Sequence, residues 1–263
     1  MLADDSKPAK FLVNVFDRES ESFKTKTFNI RVNNLTTVLD ALIEIKEGID
    51  PTISFRYSCR MGICGSCAMV IDGEPKLACE TTVYKENSSV IRVEPMRGHP
   101  LLKDLVTDFD DFFSNHSDIN PWIIRKNGQE KYDVNKEFYQ TDKDIDKFLP
   151  FAECIKCGLC LDACPVVNTN KEFLGPQAIA QAYRYYSDSK DEGKELRLEY
   201  LDTLKGAWGC EFAGACSDVC PKNVDPALAI QLLKLEIANY NISKIFGGKL
   251  KKKEDKVQTN GQV

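Results

Sequence analysis

Eleven cysteines carry the chemistry legible in this chain, and all of them fall into three runs. One run is Cys154-Ile-Lys-Cys157-Gly-Leu-Cys160-Leu-Asp-Ala-Cys164-Pro165, a C-x2-C-x2-C-x3-C-P spacing that suits cubane iron–sulfur clusters. A second is Cys210-Glu-Phe-Ala-Gly-Ala-Cys216-Ser-Asp-Val-Cys220-Pro221, the same run with Ala213 where its second thiolate would stand. The third is Cys59-Arg-Met-Gly-Ile-Cys64-Gly-Ser-Cys67, with Cys79 further on. Its C-x4-C-x2-C…C spacing suits a [2Fe–2S] cluster.

The two long runs predict crossed ligation. Three cysteines at x2 spacing wrap one corner of a cluster, while the fourth starts the next element and reaches the other cluster. Cys154, Cys157 and Cys160 then borrow Cys220, which makes four thiolates and suits [4Fe–4S]. Cys210 and Cys216 borrow Cys164, which makes three, because Ala213 cannot bind iron. Three ligands suit [3Fe–4S]. The rival is a pair of structural zinc sites, but zinc takes closed tetrahedral sets and has no use for the C-x3-C-P crossing.

The elements that must position these residues differ between the two halves. Phe11 to Phe16 is strand-like, and Phe23 to Val32 alternates apolar and polar residues through Phe28, Ile30 and Val32. Asn34, Thr36 and Thr37 precede apolar residues at helix spacing up to Ile45, with Gly48 as an exit. A hairpin followed by a helix opens a β-grasp domain. Asp72-Gly73 signals a type I′ hairpin that brings Cys79 back to Cys59, Cys64 and Cys67, completing the [2Fe–2S] set. The glycines of the loop let backbone N–H groups approach the cluster. Val90 to Glu94 reads as the closing strand. Leu101 to Phe113 carries apolar residues at helical spacing and reads as an amphipathic helix leading into the second half.

Beyond it, helices are expected from Gly175-Pro176 to Tyr186, within Lys190 to Leu204, and from Pro226 onward. The fold class is therefore α+β. A β-grasp, plant-type [2Fe–2S] ferredoxin domain (1–106) precedes a mostly α-helical, bacterial-ferredoxin-like domain (107–243) for the [4Fe–4S] and [3Fe–4S] clusters. A polar, Lys-rich tail (244–263) follows, carrying Lys249, Lys251, Lys252 and Lys253.

Composition narrows the class. The chain has 263 residues, long enough for two domains, and a net charge of −5 that gives no nucleic-acid footprint. An odd, clustered cysteine count argues against a secreted disulfide framework and for a reducing, cytoplasmic compartment. No apolar stretch approaches the roughly 20 residues of a membrane span, and no signal peptide is recognisable at the start. His99 and His116 sit in no catalytic motif, and no glycine-rich dinucleotide fingerprint follows a strand. Three clusters of graded type on one chain make an electron wire.

From about residue 10 to 240 the chain resembles the iron–sulfur subunit of succinate dehydrogenase and fumarate reductase. The resemblance rests on Ser58 to Cys67, Lys76-Leu77-Ala78-Cys79, Cys154 to Pro165 and Cys210 to Pro226. It implies the same three ligand sets, with [2Fe–2S] nearest an FAD-containing flavoprotein subunit and [3Fe–4S] nearest quinone and the membrane anchor subunits. It also implies a peripheral position on the cytoplasmic face of the cell membrane, and substrate chemistry on the flavoprotein and not on this chain. Val166 to Asn170 replaces the tryptophan-rich stretch of ubiquinone-linked members, and Glu211 stands where they have histidine. Cys216 to Pro226 and Glu172 to Pro176 are closer to fumarate reductases, which often use menaquinone. Lys234 matches a lysine that approaches quinone in the family. Two alternatives are the iron–sulfur subunit of a soluble, thiol-linked fumarate reductase and a standalone ferredoxin-type carrier.

Overall fold

In the computed structural model, β1 (Lys7–Asp17) and β2 (Ser22–Val32) pair antiparallel, with Phe11 opposite Phe28 and Val13 opposite Lys26. The structure describes residues 6–17, 19–84, 90–126, 135 and 137–245; the tail lysines from Lys249 on lie outside these. Along β1, Ala9, Phe11, Val13 and Val15 are buried, and along β2, Phe28, Ile30 and Val32. Successive side chains of a strand point to opposite faces, so each strand gives one face to the core.

That face receives α1 (Val38–Gly48), whose Val38, Leu39, Ala41, Leu42 and Ile45 enter the same core. Three further strands complete the sheet: β3 (Ala68–Ile71), β4 (Glu74–Leu77) and β5 (Val90–Glu94). The order is β2-β1-β5-β3-β4, and β1 runs parallel to β5. This mixed sheet grasping one helix is the expected N-terminal architecture.

The start of α1 is tied to the segment that carries Cys79. Thr37 caps the helix and forms a reciprocal capping box with Asp40. Val38 N–H donates to Thr81 O at 2.8 Å and Leu39 N–H to Ala78 O at 3.0 Å, so orphan donors of the first turn are used to hold the neighbours of Cys79. Thr37→Ala is expected to cost about 1 kcal/mol. Denaturant unfolding would register this as a lower midpoint at unchanged slope.

Residues 101–113 depart from the single amphipathic helix expected there. Leu101–Lys103 (β6) and Val106–Thr107 (β7) form a two-stranded ribbon, and helix α2 spans only Asp110–Asp118. The cause is non-local. Asp104 adopts φ 50° in the turn, its carboxylate accepts from Ser54 N–H at 2.9 Å, and Leu105 N–H donates to Ser54 O at 3.1 Å.

The rest is helical: α3 (Asp142–Asp146), α4 (Leu149–Ala152), α5 (Leu159–Asp162), α6 (Pro165–Thr169), α7 (Pro176–Ser187), α8 (Lys194–Leu201), α9 (Ala215–Asp218) and α10 (Pro226–Ile245). Pro176 and Pro226 occupy first turns, where a missing N–H costs nothing. α7 and α10 build the second core, with Ala178, Ile179 and Ala182 against Ile230, Leu233 and Ile237. The two halves share packing: Leu159 is buried in the N-terminal core, and Phe109 packs against both cores.

Candidate metal centres

The first set lies in the loop between α1 and β3. Arg60, Gly62 and Gly65 adopt φ of 60°, 68° and 74°, which curls the backbone around the thiols. Met61, Ile63 and Cys64 aim their N–H groups at Cys59 Sγ (3.5, 3.3 and 3.3 Å), Cys59 N–H points at Cys64 Sγ (3.5 Å), and Gly62 N–H at Cys79 Sγ (3.2 Å). Asp72 and Gly73, at φ 50° and 87°, close the expected two-residue hairpin between β3 and β4. The return strand delivers Cys79, and Ala78 N–H donates to Cys67 O at 3.1 Å. All four cysteines of the first set thus converge on one backbone cage.

The thiols of this set differ in their acidity. A hydrogen bond with Ser66 draws Cys64 down to about 6, against the effect of burial. Burial pushes Cys67 up to about 12, and the neighbouring Cys79 and Cys64 add to the rise. N–H groups directed at sulfur favour its charged form. Cys67 and Cys79 are buried, whereas Met61 and Ile63 are exposed, so one rim of the cage faces outward.

Cys154, Cys157 and Cys160 follow α4, and Cys220 follows α9. They line one space together with Gln177, Gln181 and Val224. Cys164, Cys210 and Cys216 line a second, and Ala213 is on its wall. The grouping is the crossed one: Cys220 stands with the first run and Cys164 with the second. Burial raises the Cys154, Cys157, Cys160, Cys164 and Cys216 thiols, Cys157 and Cys216 each to about 11 and Cys160 well above its ordinary value. Such thiols give up their protons when a cation takes the protons' place. Among the described residues no three His, Cys, Asp or Glu side chains close on one point as a single metal ion requires; the thiols instead stand around spaces.

The two helical-half loops repeat one backbone. Lys156 and Gly158 adopt φ of 57° and 82°; Phe212 and Gly214, at the equivalent positions, adopt 56° and 80°. Each glycine then caps a short helix, α5 or α9, that carries the third cysteine position, Cys160 or Cys216. Ala213 therefore occupies the structural place of Cys157. This equivalence is visible in the sequence spacing, but its backbone is not, since neither Lys156 nor Phe212 announces a left-handed residue.

Both halves of the chain are similar to known proteins. Residues 10–114 match the family model of a 2Fe-2S iron-sulfur cluster binding domain, and residues 150–224 that of a 4Fe-4S dicluster domain. The chain is 44% identical to the fumarate reductase iron-sulfur subunit of Mycobacterium tuberculosis, over 89% of this chain and 94% of that one. It is 43% identical to that of Haemophilus influenzae, over 82% and 88%. The chain belongs to the fumarate reductase iron–sulfur subunit family. Its fold is similar to a chain of the Mycobacterium smegmatis Sdh1 complex in the apo form, with TM-score 0.79 at 25% identity, covering 90% of this chain and 98% of that one. As a fumarate reductase/succinate dehydrogenase iron–sulfur subunit, it carries electrons within a multi-subunit oxidoreductase. No described helix is long and apolar enough to cross a membrane.

In this subunit the sites abut. A methyl group added at Gly65 would lie 2.7 Å from Cys157 Cβ and 2.9 Å from its Cα, so the first cage rests on the second. The third adjoins the second through Cys216, whose charge contributes to raising Cys160. Gly65→Ala is expected to cost about 1–2 kcal/mol from the left-handed backbone alone, and more from the contact with Cys157. A thermal midpoint equal to that of the parent chain would refute the close packing of the two halves here.

Two residues around the third site went unread or half-read in the sequence. Gln231 Nε2 points at Cys210 Sγ, at 3.9 Å, and Phe212 N–H at the same sulfur, at 3.4 Å. Gln231 precedes Lys234 by three residues on α10, the spacing that shares a helix face, so Lys234 could have led to it. Lys234 Nζ donates to Cys210 O at 2.7 Å and lies 6.0 Å from the Trp208 ring centre. His99 is buried and stacks on Phe109 with ring centres 4.3 Å apart.

Proposed function

We propose that this subunit carries electrons between a flavoprotein subunit acting on succinate and fumarate, and a membrane quinone. Cys59, Cys64, Cys67 and Cys79 hold [2Fe–2S]; Cys154, Cys157, Cys160 and Cys220 hold [4Fe–4S]; Cys164, Cys210 and Cys216 hold [3Fe–4S]. When bound, these clusters supply one-electron redox centres whose potentials depend on cluster type, hydrogen bonds to sulfur and solvent exposure. The protein's part is to place them in a row and to direct N–H groups at the sulfurs of the first.

The observation that carries this reading is the repeated loop backbone with Ala213 in the place of Cys157. It supports a graded series ending in a three-thiolate site, beyond what a simple carrier needs. The exposed rim at Met61 and Ile63 suits the flavoprotein side. Lys234, which donates to Cys210 O, suits the quinone side. The subunit is peripheral, on the cytoplasmic face, held by separate anchor subunits, and the likeness of Cys216 to Pro226 and Glu172 to Pro176 to fumarate reductases favours menaquinone as its quinone.

Purification of a tagged chain from its own cells tests the assembly. The expected result is a flavin-containing partner and detergent-requiring chains in the same fraction, with succinate-dependent reduction of a menaquinone analogue. A chain that emerges alone, without flavin, would favour a standalone carrier. A flavin-containing but detergent-independent complex that uses thiols and not quinols would favour the thiol-linked enzyme.

A further inference from the structure

Helix α7 sends two amides, Gln177 and Gln181, to the space lined by Cys154, Cys157, Cys160 and Cys220. Gln181 is accounted for, since its Nε2 donates to Phe151 O at 2.7 Å. Gln177 is not. It is only 2% exposed, one end of its amide lies 3.2 Å from His116 Nδ1, and its Oε1 has no hydrogen-bond partner. A buried amide oxygen left unpaired is costly, and a turn of the amide removes the cost. His116 Nδ1–H then donates to Oε1, and Nε2 takes the end that is not on His116. In the unturned amide, too, Nε2 has a second hydrogen beyond the one facing His116. Either way an N–H remains for the sulfur-lined space. Burial, with Lys156 nearby, holds His116 down to about 4, so at pH 7 its ring is neutral and carries one proton. Burial raises the Cys154 thiol, and the Gln177 side chain is among the groups that oppose the rise.

We propose that the Gln177 amide donates a hydrogen bond to the sulfur atoms of the [4Fe–4S] site, at Cys154 or the cluster sulfides, and holds that cluster's reduction potential up, with His116 orienting the amide. The inference rests on the cysteine assignment given under Proposed function. Reduction adds negative charge to the cluster, so a donor to its sulfurs stabilises the reduced form more than the oxidised one. Gln177 thus acts on the cluster directly, and His116 is the positioning residue that acts through it.

The test is a redox titration of the assembled full chain, followed by electron paramagnetic resonance, for the parent and Gln177→Met. Methionine keeps the length and removes the donor. The reduced [4Fe–4S] form is expected to become about tenfold less favoured, a fall of about 59 mV for a one-electron couple, with the [2Fe–2S] and [3Fe–4S] midpoints unmoved. A [4Fe–4S] midpoint that stays in place overturns the proposal. Should Gln177→Met fail to assemble, the parent chain decides. With 15N in its glutamine side chains, pulsed resonance on the reduced [4Fe–4S] cluster should show a nitrogen coupling, and its absence overturns the proposal. A parent chain with no [4Fe–4S] signal would overturn the cysteine assignment and this inference together.

Discussion

Ala213→Cys is expected to convert the three-iron site into a four-iron one. Ala213 sits on the wall of the space shared by Cys164, Cys210 and Cys216. It lies between residues at φ 56° and 80°, as Cys157 lies between residues at 57° and 82°. A thiol placed there has the backbone geometry of the second ligand in the other loop, so a fourth iron gains its missing partner. The oxidised [3Fe–4S] resonance should disappear, and a further [4Fe–4S] signal should appear on reduction. The potential of this site should fall, because it depends on cluster type and charge. A fall of about 59 mV makes the reduced form of this site tenfold less favoured for a one-electron couple, so the site fills less readily and quinone reduction should slow. An unchanged three-iron signal in a variant with full iron content would contradict the assignment of Cys164, Cys210 and Cys216.

Arg197→Leu should give the largest loss of stability. Arg197 is 1% exposed, and its Nη1 donates to Asp191 Oδ1 at 2.6 Å. Its other donors reach the carbonyls of Ile119, Asn120 and Trp122 at 3.2, 2.9 and 2.8 Å. Asp191 in turn accepts from Gly193 N–H and Ile124 N–H. This cluster pins the start of α8 to the chain that leaves α2. Removing the guanidinium leaves a buried carboxylate without its charge partner, which costs about 3–5 kcal/mol. The paired change Arg197→Leu with Asp191→Leu should cost less than the sum of the two single changes, because no lone charge remains. Thermal unfolding of the three variants checks this; strict additivity would mean that the pair is not coupled.

The readable part of the chain was the part where spacing alone sets geometry. Cys59, Cys64 and Cys67 lie in one loop, and Asp72-Gly73 forces a tight return to Cys79, so the first set needed no tertiary knowledge. The crossing of Cys164 and Cys220 follows from C-x3-C-P spacing in the same way. Residues 101–107 failed because Ser54, some fifty positions away, claims Asp104 and Leu105. Their apolar spacing fits a helix, but the partner that decides the matter is invisible locally. Arg197 was hidden for a similar reason. It sits in a charged run that reads only as a helix with leucines at helical intervals, and its partners at 119–122 come from a different stretch. Gln177 looked like one polar residue on a good helix; only the packing of α7 against the cysteine loops gives it a role.

Electron paramagnetic resonance on the purified chain, first oxidised and then reduced in steps, tests the three-centre wire most directly. The account predicts a [3Fe–4S] signal in the oxidised protein, with [2Fe–2S] and [4Fe–4S] signals emerging on reduction, in equal amounts. A fully iron-loaded sample without the oxidised three-iron signal would contradict it, because Ala213 would then leave no open corner and the wire would lack its last step.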